Sequence, residues 1–557
     1  MASVRLTGKA LAAAVVAAKT PGTHAIVREV MRKGYRLDAL LHLPAGVRLP
    51  MDLDVKPLQA GAPRSWGGDS ALTPPTASAE RATVESFERA YQSRATTPTE
   101  VLHKIRSAAE AGVYGESVHS PFSDTDWETA EEAAEASTAR WQKGRPKSGL
   151  DGVPLPVKDE HNMEGLPTRG GTAYRVLPEP QDSFVVKTLR AAGALLYAKT
   201  HTTEWGMSPI GMSAHTPLPR NPYHRDHAAG GSSTGSAVAV ALGYAPVAVG
   251  SDGGGSIRIP AALCGLYGIK PTYGHVGRSG NIFGSGSVAV GGPIGQSTAD
   301  LVALLEVVAL AKDPEDVHVH RLPKTKGRAA SWYDALCRGV RGCRIGVPRE
   351  LWREASPEVA ALCEGALSAL EREGAQLVPL EIPLASFANA IGVLSIGPET
   401  MALLEEDFEA HEALFGQDLQ LTLHVLRHLS AREMLLAQRA RATLRRTTAA
   451  ALQSVDVIAL PTTATTAPRY PLAETGVAVS DDEATRAMCT FNFLANLTGL
   501  PAGSAPVGMS QGLPVGLQFV GDAWDEASVL AMLAHTERLG MGALPAPRNA
   551  LTWEAGT

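Results

Sequence analysis

Apolar positions along this chain keep a helical period in some stretches and gather into short runs in others. Beyond Gly149 the two patterns alternate: Phe184 to Ala192 predicts a helix, Ala194 to Ala198 a strand, Ser236 to Leu242 a helix and Ala245 to Val249 a strand. Such alternation predicts an α/β fold, with a central sheet covered by helices on both faces. Leu and Ala at helical spacing dominate from Pro357 to Glu373 and from Glu399 to Ala449, a middle region expected to frame a pocket. Asp525-Glu526 opens a last helix reaching about Leu539, its acids at the end where the helix dipole favours them.

The first 83 residues read differently. Leu43 to Ser78 is dense in Pro, Gly, Ala and Ser with little periodicity, so residues 1–83 are expected to form a partly irregular extension that wraps the surface, and residues 84–557 the main domain. Deleting the extension is expected to leave that domain folded. Thr97-Pro98-Thr99-Glu100 supplies a capping arrangement ahead of Val101, Leu102 and Ile105. The short run Leu11 to Ala18, after Arg5 and Lys9, superficially resembles a secretion signal. Its alanine-rich character and the early Lys19 favour an ordinary N-terminal helix and a cytoplasmic protein, with weak export as the alternative. No stretch approaches the roughly 20 uninterrupted apolar residues of a membrane span.

Composition narrows the function classes. At 557 residues, 44% hydrophobic and 19% charged, the chain has ordinary globular usage and length enough for a large core. A net charge of −6 and the absence of a dense Lys/Arg run argue against nucleic acid as a partner. The five cysteines are odd in number and lack C-x-x-C spacing, so neither a disulfide framework nor a zinc site follows, and a reducing compartment is the simpler setting. His318 and His320 share one strand face but lack an apparent third ligand, and are expected to face solvent.

Two glycine- and serine-rich segments carry the candidate chemistry: Gly230-Gly231-Ser232-Ser233-Thr234-Gly235-Ser236 and Gly250-Ser251-Asp252-Gly253-Gly254-Gly255-Ser256. The first lacks the Lys that closes a Walker A loop, and the second lacks dinucleotide spacing, which disfavours phosphate binding. Three glycines before Ser256 can instead turn successive N–H groups inward as a nest for a developing oxyanion. Ser256 then stands where an acyl-transfer nucleophile belongs. A serine needs a base, and no nucleophile elbow with downstream Asp and His is evident.

Gly230 to Gly243 (GGSSTGSAVAVALG) and Ser251 to Pro260 (SDGGGSIRIP) together resemble the amidase signature family. Gly152 to Thr168 (GVPLPVKDEHNMEGLPT) is similar to that family's lysine segment, Asn221-Pro222 falls before the Gly-Ser loop, and Asn496 to Gly521 is similar to its C-terminal block. The resemblance covers roughly residues 84 to 545, with four motifs in order. It implies the amidase signature fold, whose central β-sheet is mixed, with Lys158 as base, Ser232 as a bridging serine preceded by a cis peptide, and Ser256 as the acylated nucleophile. It further implies backbone contributions to the pocket or oxyanion site from Gly206, Gly253, Gly254 and Gly255, supporting roles for Ser233, Asp252 and Arg258, and no metal or organic cofactor. The implied reaction is hydrolysis of a carboxylic amide to acid plus ammonia or amine, with ester or carbamate side activity. A small-molecule amide is the expected partner, and a homodimer is left open. A buried lysine amine can act as base only where burial lowers its pKa from about 10.4.

Departures from the family wording bear on substrate rather than on the three catalytic positions. Thr234 replaces a usual glycine, Gly253 a usual bulkier residue and Glu160 a common Asn, while His201 to Met207 (HTTEWGM) departs from Asn-x-Ser-Glu-Phe. Trp205 is expected in the core. The rival reading is the glutaminase subunit of a tRNA-dependent amidotransferase, and a third is a non-catalytic binding protein on the same fold.

Overall fold

Several helices start where the sequence provides a side chain to cap them. The Thr97 hydroxyl accepts from the Glu100 N–H and Glu100 answers it, closing a capping box on Pro98–Glu110. Ser183 caps Phe184–Ala192, which Gly193 closes at φ +94, and Asp525 caps Glu526–Arg538. In this computed structural model the described residues are 5–43, 49, 54–61, 66, 72–75, 81–283, 286–319, 332–474 and 476–553.

The centre is a sheet of eleven strands, in the order Gln376–Pro379, Arg344–Val347, Val457–Pro461, Leu513–Val520, Ala502–Ser510, Tyr267–Lys270, Val290–Gly295, Val247–Asp252, Val157–Lys158, Ala198–Thr200 and Phe122–Thr125. Val157–Lys158 runs parallel to both its neighbours, whereas Val290–Gly295 and Leu513–Val520 are antiparallel to theirs, so the sheet is mixed, as expected. Helices flank it, among them Thr234–Ala241 and Glu526–Arg538, whose side chains are almost entirely buried. Thr234–Ala241, apolar on nearly every side, is of the kind that belongs inside a large α/β protein.

Some boundaries differ from expectation. The strand predicted at Ala194 to Ala198 lies at Ala198–Thr200. The apolar run before it is buried and exchanges single backbone bonds with Val153 and Leu155, while the ladder proper falls on Lys199 and Thr200, polar residues that hydropathy alone places outside a core. The long helical pattern from Glu399 resolves into Ala388–His411, Gln417–Leu426 and Ala431–Leu452. Ala385–Leu414 holds no 20 uninterrupted apolar residues, as expected, although its most apolar 18-residue window is apolar enough by composition for a membrane span. That window is 56% buried within the protein, and Ile391, Leu394, Leu404 and Phe408 are core residues.

The N-terminal segment packs against later parts of the chain. Arg5–Thr7 pairs antiparallel with Val479–Asp481, the expected N-terminal helix spans Gly8–Lys19, and a second helix follows at His24–Gly34. Leu11, Val15, Ala18 and Met31 pack against Leu421, Val425 and Ala478. Most of Leu43 to Ser78 lies outside the described residues. Val15→Asp places a charge in that contact. Trypsin cleavage within residues 19–36 is expected to accelerate about tenfold or more, while the main unfolding transition stays within a few degrees of wild type. Unchanged cleavage would show that the docking contributes nothing to order.

Candidate active site

Two parallel neighbouring strands end side by side at the site. Val157 pairs with Val249, so Lys158 at the end of one strand comes level with the Gly250-Ser251-Asp252 end of the other. Open α/β sheets place their ligands beyond such carboxyl ends. Lys158 is fully buried, and its Nζ donates to Ser232 Oγ and to Ser251 Oγ, each at 2.7 Å. Burial lowers the lysine pKa, opposed by the nearby carboxylates of Glu160, Asp252 and Asp159. The Gly231-Ser232 peptide bond is cis. Ser233 Oγ donates to the Ser251 carbonyl and accepts from the Ser251 N–H, both at 3.2 Å, tying the Gly-Ser loop to the strand.

Ser256 follows the three glycines, just ahead of the short helix Arg258–Leu263. The Gly255 N–H donates to Asp252 Oδ1 at 2.8 Å, so it is turned toward that carboxylate, leaving the amides of Gly253, Gly254 and Ser256 as the candidate oxyanion donors. Gly255 sits at φ +119, and a Cβ there would come within 2.7 Å of the Asn492 side chain, so both conformation and space require glycine. The loop is held from below by Asp252 and Arg258, both wholly buried, with Arg258 donating from Nε and Nη2 to the two carboxylate oxygens at 3.0 and 2.9 Å. Burial pushes the Asp252 carboxyl up, but Arg258 and Asn496 outweigh it and hold it well below the usual range. Arg258 reaches onward to Gln518 Oε1 at 2.9 Å and Asn496 Oδ1 at 2.7 Å.

A cavity of about 580 Å³ opens over the loop, and Glu160, Gly206, Ser232, Gly253, Gly254 and Ser256 all face it. The expected site residues therefore converge. Gly206 lines it at φ +67, with its N–H donating to Thr203 O at 2.9 Å. Trp205 is in a buried cluster, as expected, and lines the cavity as well. A second cavity of about 800 Å³, walled by Met31, Tyr35, Val393 and Leu426, shares Met207, Pro209, Ile396, Cys489 and Phe493 with the first. All five cysteines are unpaired thiols. His318 is half-buried with its ring edge-on to Tyr273, rather than solvated, and His320 lies outside the described residues. Among the described residues no three metal-ligating side chains converge.

The profile of the amidase family matches residues 114–530. The chain belongs to the amidase signature family. It is 33% identical over 462 residues to a fatty acid amide hydrolase of Medicago truncatula, an alignment spanning 82% of this chain and 76% of that one. It is 34% identical over 430 residues to a glutamyl-tRNA(Gln) amidotransferase subunit of Chloroflexus aggregans, covering 72% of this chain and 86% of that relative. The native peptide amidase of Stenotrophomonas maltophilia superposes with a TM-score of 0.69 at 28% identity, over 84% of this chain and 98% of that enzyme. Amidase signature enzymes hydrolyse amides.

In this amidase signature chain, Ser251, Asn492, Asn496 and Gln518 complete the site, though the motif reading gave them no role. Asn496 and Gln518 did carry a signal, as polar residues in the largely apolar C-terminal block, and such residues are buried only when hydrogen-bonded. Asp252→Ala leaves Arg258 buried without its carboxylate and is expected to cost about 3–5 kcal/mol, read from the urea midpoint at unchanged slope. Because the folded pKa of Asp252 is depressed, its stabilisation is present at neutral pH and fades as pH falls below about 4, so the difference from wild type should shrink there.

Proposed function

We propose that the protein is a serine amidase working through an acyl-enzyme, with Ser256 as nucleophile, Ser232 as bridge and Lys158 as base. The observation that carries this reading is the wholly buried Lys158 amine bonded at 2.7 Å to Ser232, which lines a cavity together with Ser256. Ser256 Oγ attacks the amide carbonyl; its proton passes to Ser232 as the Ser232 proton passes to Lys158. Backbone N–H groups of the glycine loop receive the oxyanion. The relay then runs backward to protonate the departing amine, and water attacks the acyl-enzyme by the same route. No hydrogen bond joins the Ser232 and Ser256 hydroxyls in this structure, and that leg is expected to tighten around substrate.

The substrate is proposed to be the amide of an apolar carboxylic acid, with esters of the same acids turned over as side substrates. Support comes from the second cavity, walled by aliphatic and aromatic side chains and sharing Ile396 and Phe493 with the first, and from the likeness to a fatty acid amide hydrolase. The amidotransferase subunit is the rival by similarity, but free glutamine has no apolar chain to fill that space.

Intact mass after treatment with a fluorophosphonate should show one adduct, absent from Ser256→Ala. Hydrolysis of acyl amides should improve from acetyl to palmitoyl, fall about 10²–10⁴-fold in Lys158→Ala and fall further in Ser256→Ala. An adduct surviving Ser256→Ala would overturn the assignment, and a preference for free glutamine would favour the amidotransferase reading.

A further inference from the structure

One buried carboxylate in the site has no part in the acyl-transfer scheme. Glu160 is 3% exposed, and its Oε2 lies 3.1 Å from Lys158 Nζ and accepts from Ser251 Oγ at 2.5 Å. Ser251 Oγ accepts in turn from the lysine amine at 2.7 Å, so carboxylate, hydroxyl and amine close a triangle whose outward contact is the bond from Lys158 to Ser232. The backbone around Glu160 is fixed at both ends, its N–H donating to Lys158 O at 2.7 Å and its carbonyl accepting from Ile282 N–H at 3.0 Å. Oε1 stands over the α-carbon of Gly206, where a Cβ would come within 2.5 Å of it and 3.3 Å of Ser232 Oγ. Glycine at 206 is what leaves room for this carboxylate beside the bridging serine.

The other charges around Lys158 have partners of their own. Asp159 meets Lys199 Nζ at 2.8 Å, Asp252 is bound by Arg258, and burial holds the His161 imidazole down to about 3, hence neutral. Among the described residues, Lys158 is the cation paired with Glu160.

We propose that Glu160 is a positioning residue of the relay: with Ser251 it holds the Lys158 amine on Ser232 and sets the pH above which that amine becomes a base. This rests on the reading of Lys158 as base given above. While the amine is protonated, the Glu160 carboxylate stabilises it. When the amine loses its proton, Ser251 and Glu160 keep it on Ser232, and the ammonium formed as Ser256 attacks meets the same carboxylate again. An opposite charge at this distance favours the protonated amine, so neutralising Glu160 makes the free amine available at lower pH.

The test is the second-order rate at which a fluorophosphonate labels Ser256, followed across pH for wild type, Glu160→Gln and Ser251→Ala. In that reaction the Ser256 Oγ–phosphorus bond forms, fluoride leaves, and the serine proton travels through Ser232 to Lys158. Glu160→Gln is expected to shift the acidic midpoint of the rate downward by about one pH unit. Its plateau should fall about tenfold as the amine loses its hold. Ser251→Ala keeps the charge, so its midpoint should stay near wild type while its plateau falls similarly. Superimposed profiles for wild type and Glu160→Gln would overturn the proposal, as would a wild-type plateau in Ser251→Ala, a variant whose small change keeps the test decisive if Glu160→Gln fails to fold. Absence of Ser256-dependent labelling in wild type at every pH would instead strike the acyl-enzyme reading first, and this proposal with it.

Discussion

A lysine amine removed from water loses its hydration, and the loss is tolerable only where hydroxyls and carboxylates replace the lost contacts. Lys158 sits at the end of a two-residue strand between two other strands, and nearly everything else in the site follows from furnishing that one nitrogen. Ser232 and Ser251 accept from it, the Gly-Ser loop is held where Ser232 can do so, and Glu160 lies within ion-pair distance. The same burial that creates the need for partners also lowers the pKa of the amine, which is what base chemistry near neutral pH demands.

A second buried ion pair plays a mechanical part. Arg258 and Asp252 lie beneath the glycine loop, and the guanidinium fork spends its remaining donors on Asn492 O, Asn496 and Gln518. Fully satisfied networks of this kind rigidify their surroundings. The loop that carries Ser256 has little side-chain bulk with which to hold itself, so its geometry is set by the network below it.

How far the sequence could be read depended on whether a residue's role was local. Capped helices such as Pro98–Glu110 and Phe184–Ala192 were legible because caps and periodicity act within a few residues. The glycine and serine motifs were legible by resemblance, and Lys158, Ser232 and Ser256 fell into one site, with both serines facing its cavity. The strand Ala198–Thr200 was displaced because Lys199 is buried against Asp159, a contact between segments forty residues apart that hydropathy cannot register. Gly255 could be recognised as an obligatory glycine, but not as one whose amide turns to Asp252. The extension was read as a wrapping, yet its helices and the turn after them supply Met31 and Tyr35 to the wall of the larger cavity, a contribution visible only once Leu421 and Val425 are seen beneath it.

The partners of Arg258 also bear on the order in which the chain is made. Lys158, Ser232 and Ser256 are all synthesised within the first half of the protein, whereas Asn496 and Gln518 emerge near its end. Until then Arg258 has no amide partners and the sheet lacks Leu513–Val520 and Ala502–Ser510 at its centre. A nascent or truncated chain thus holds every group proposed to react without the frame that aims them, and on that proposal hydrolysis awaits the final segment of the fold.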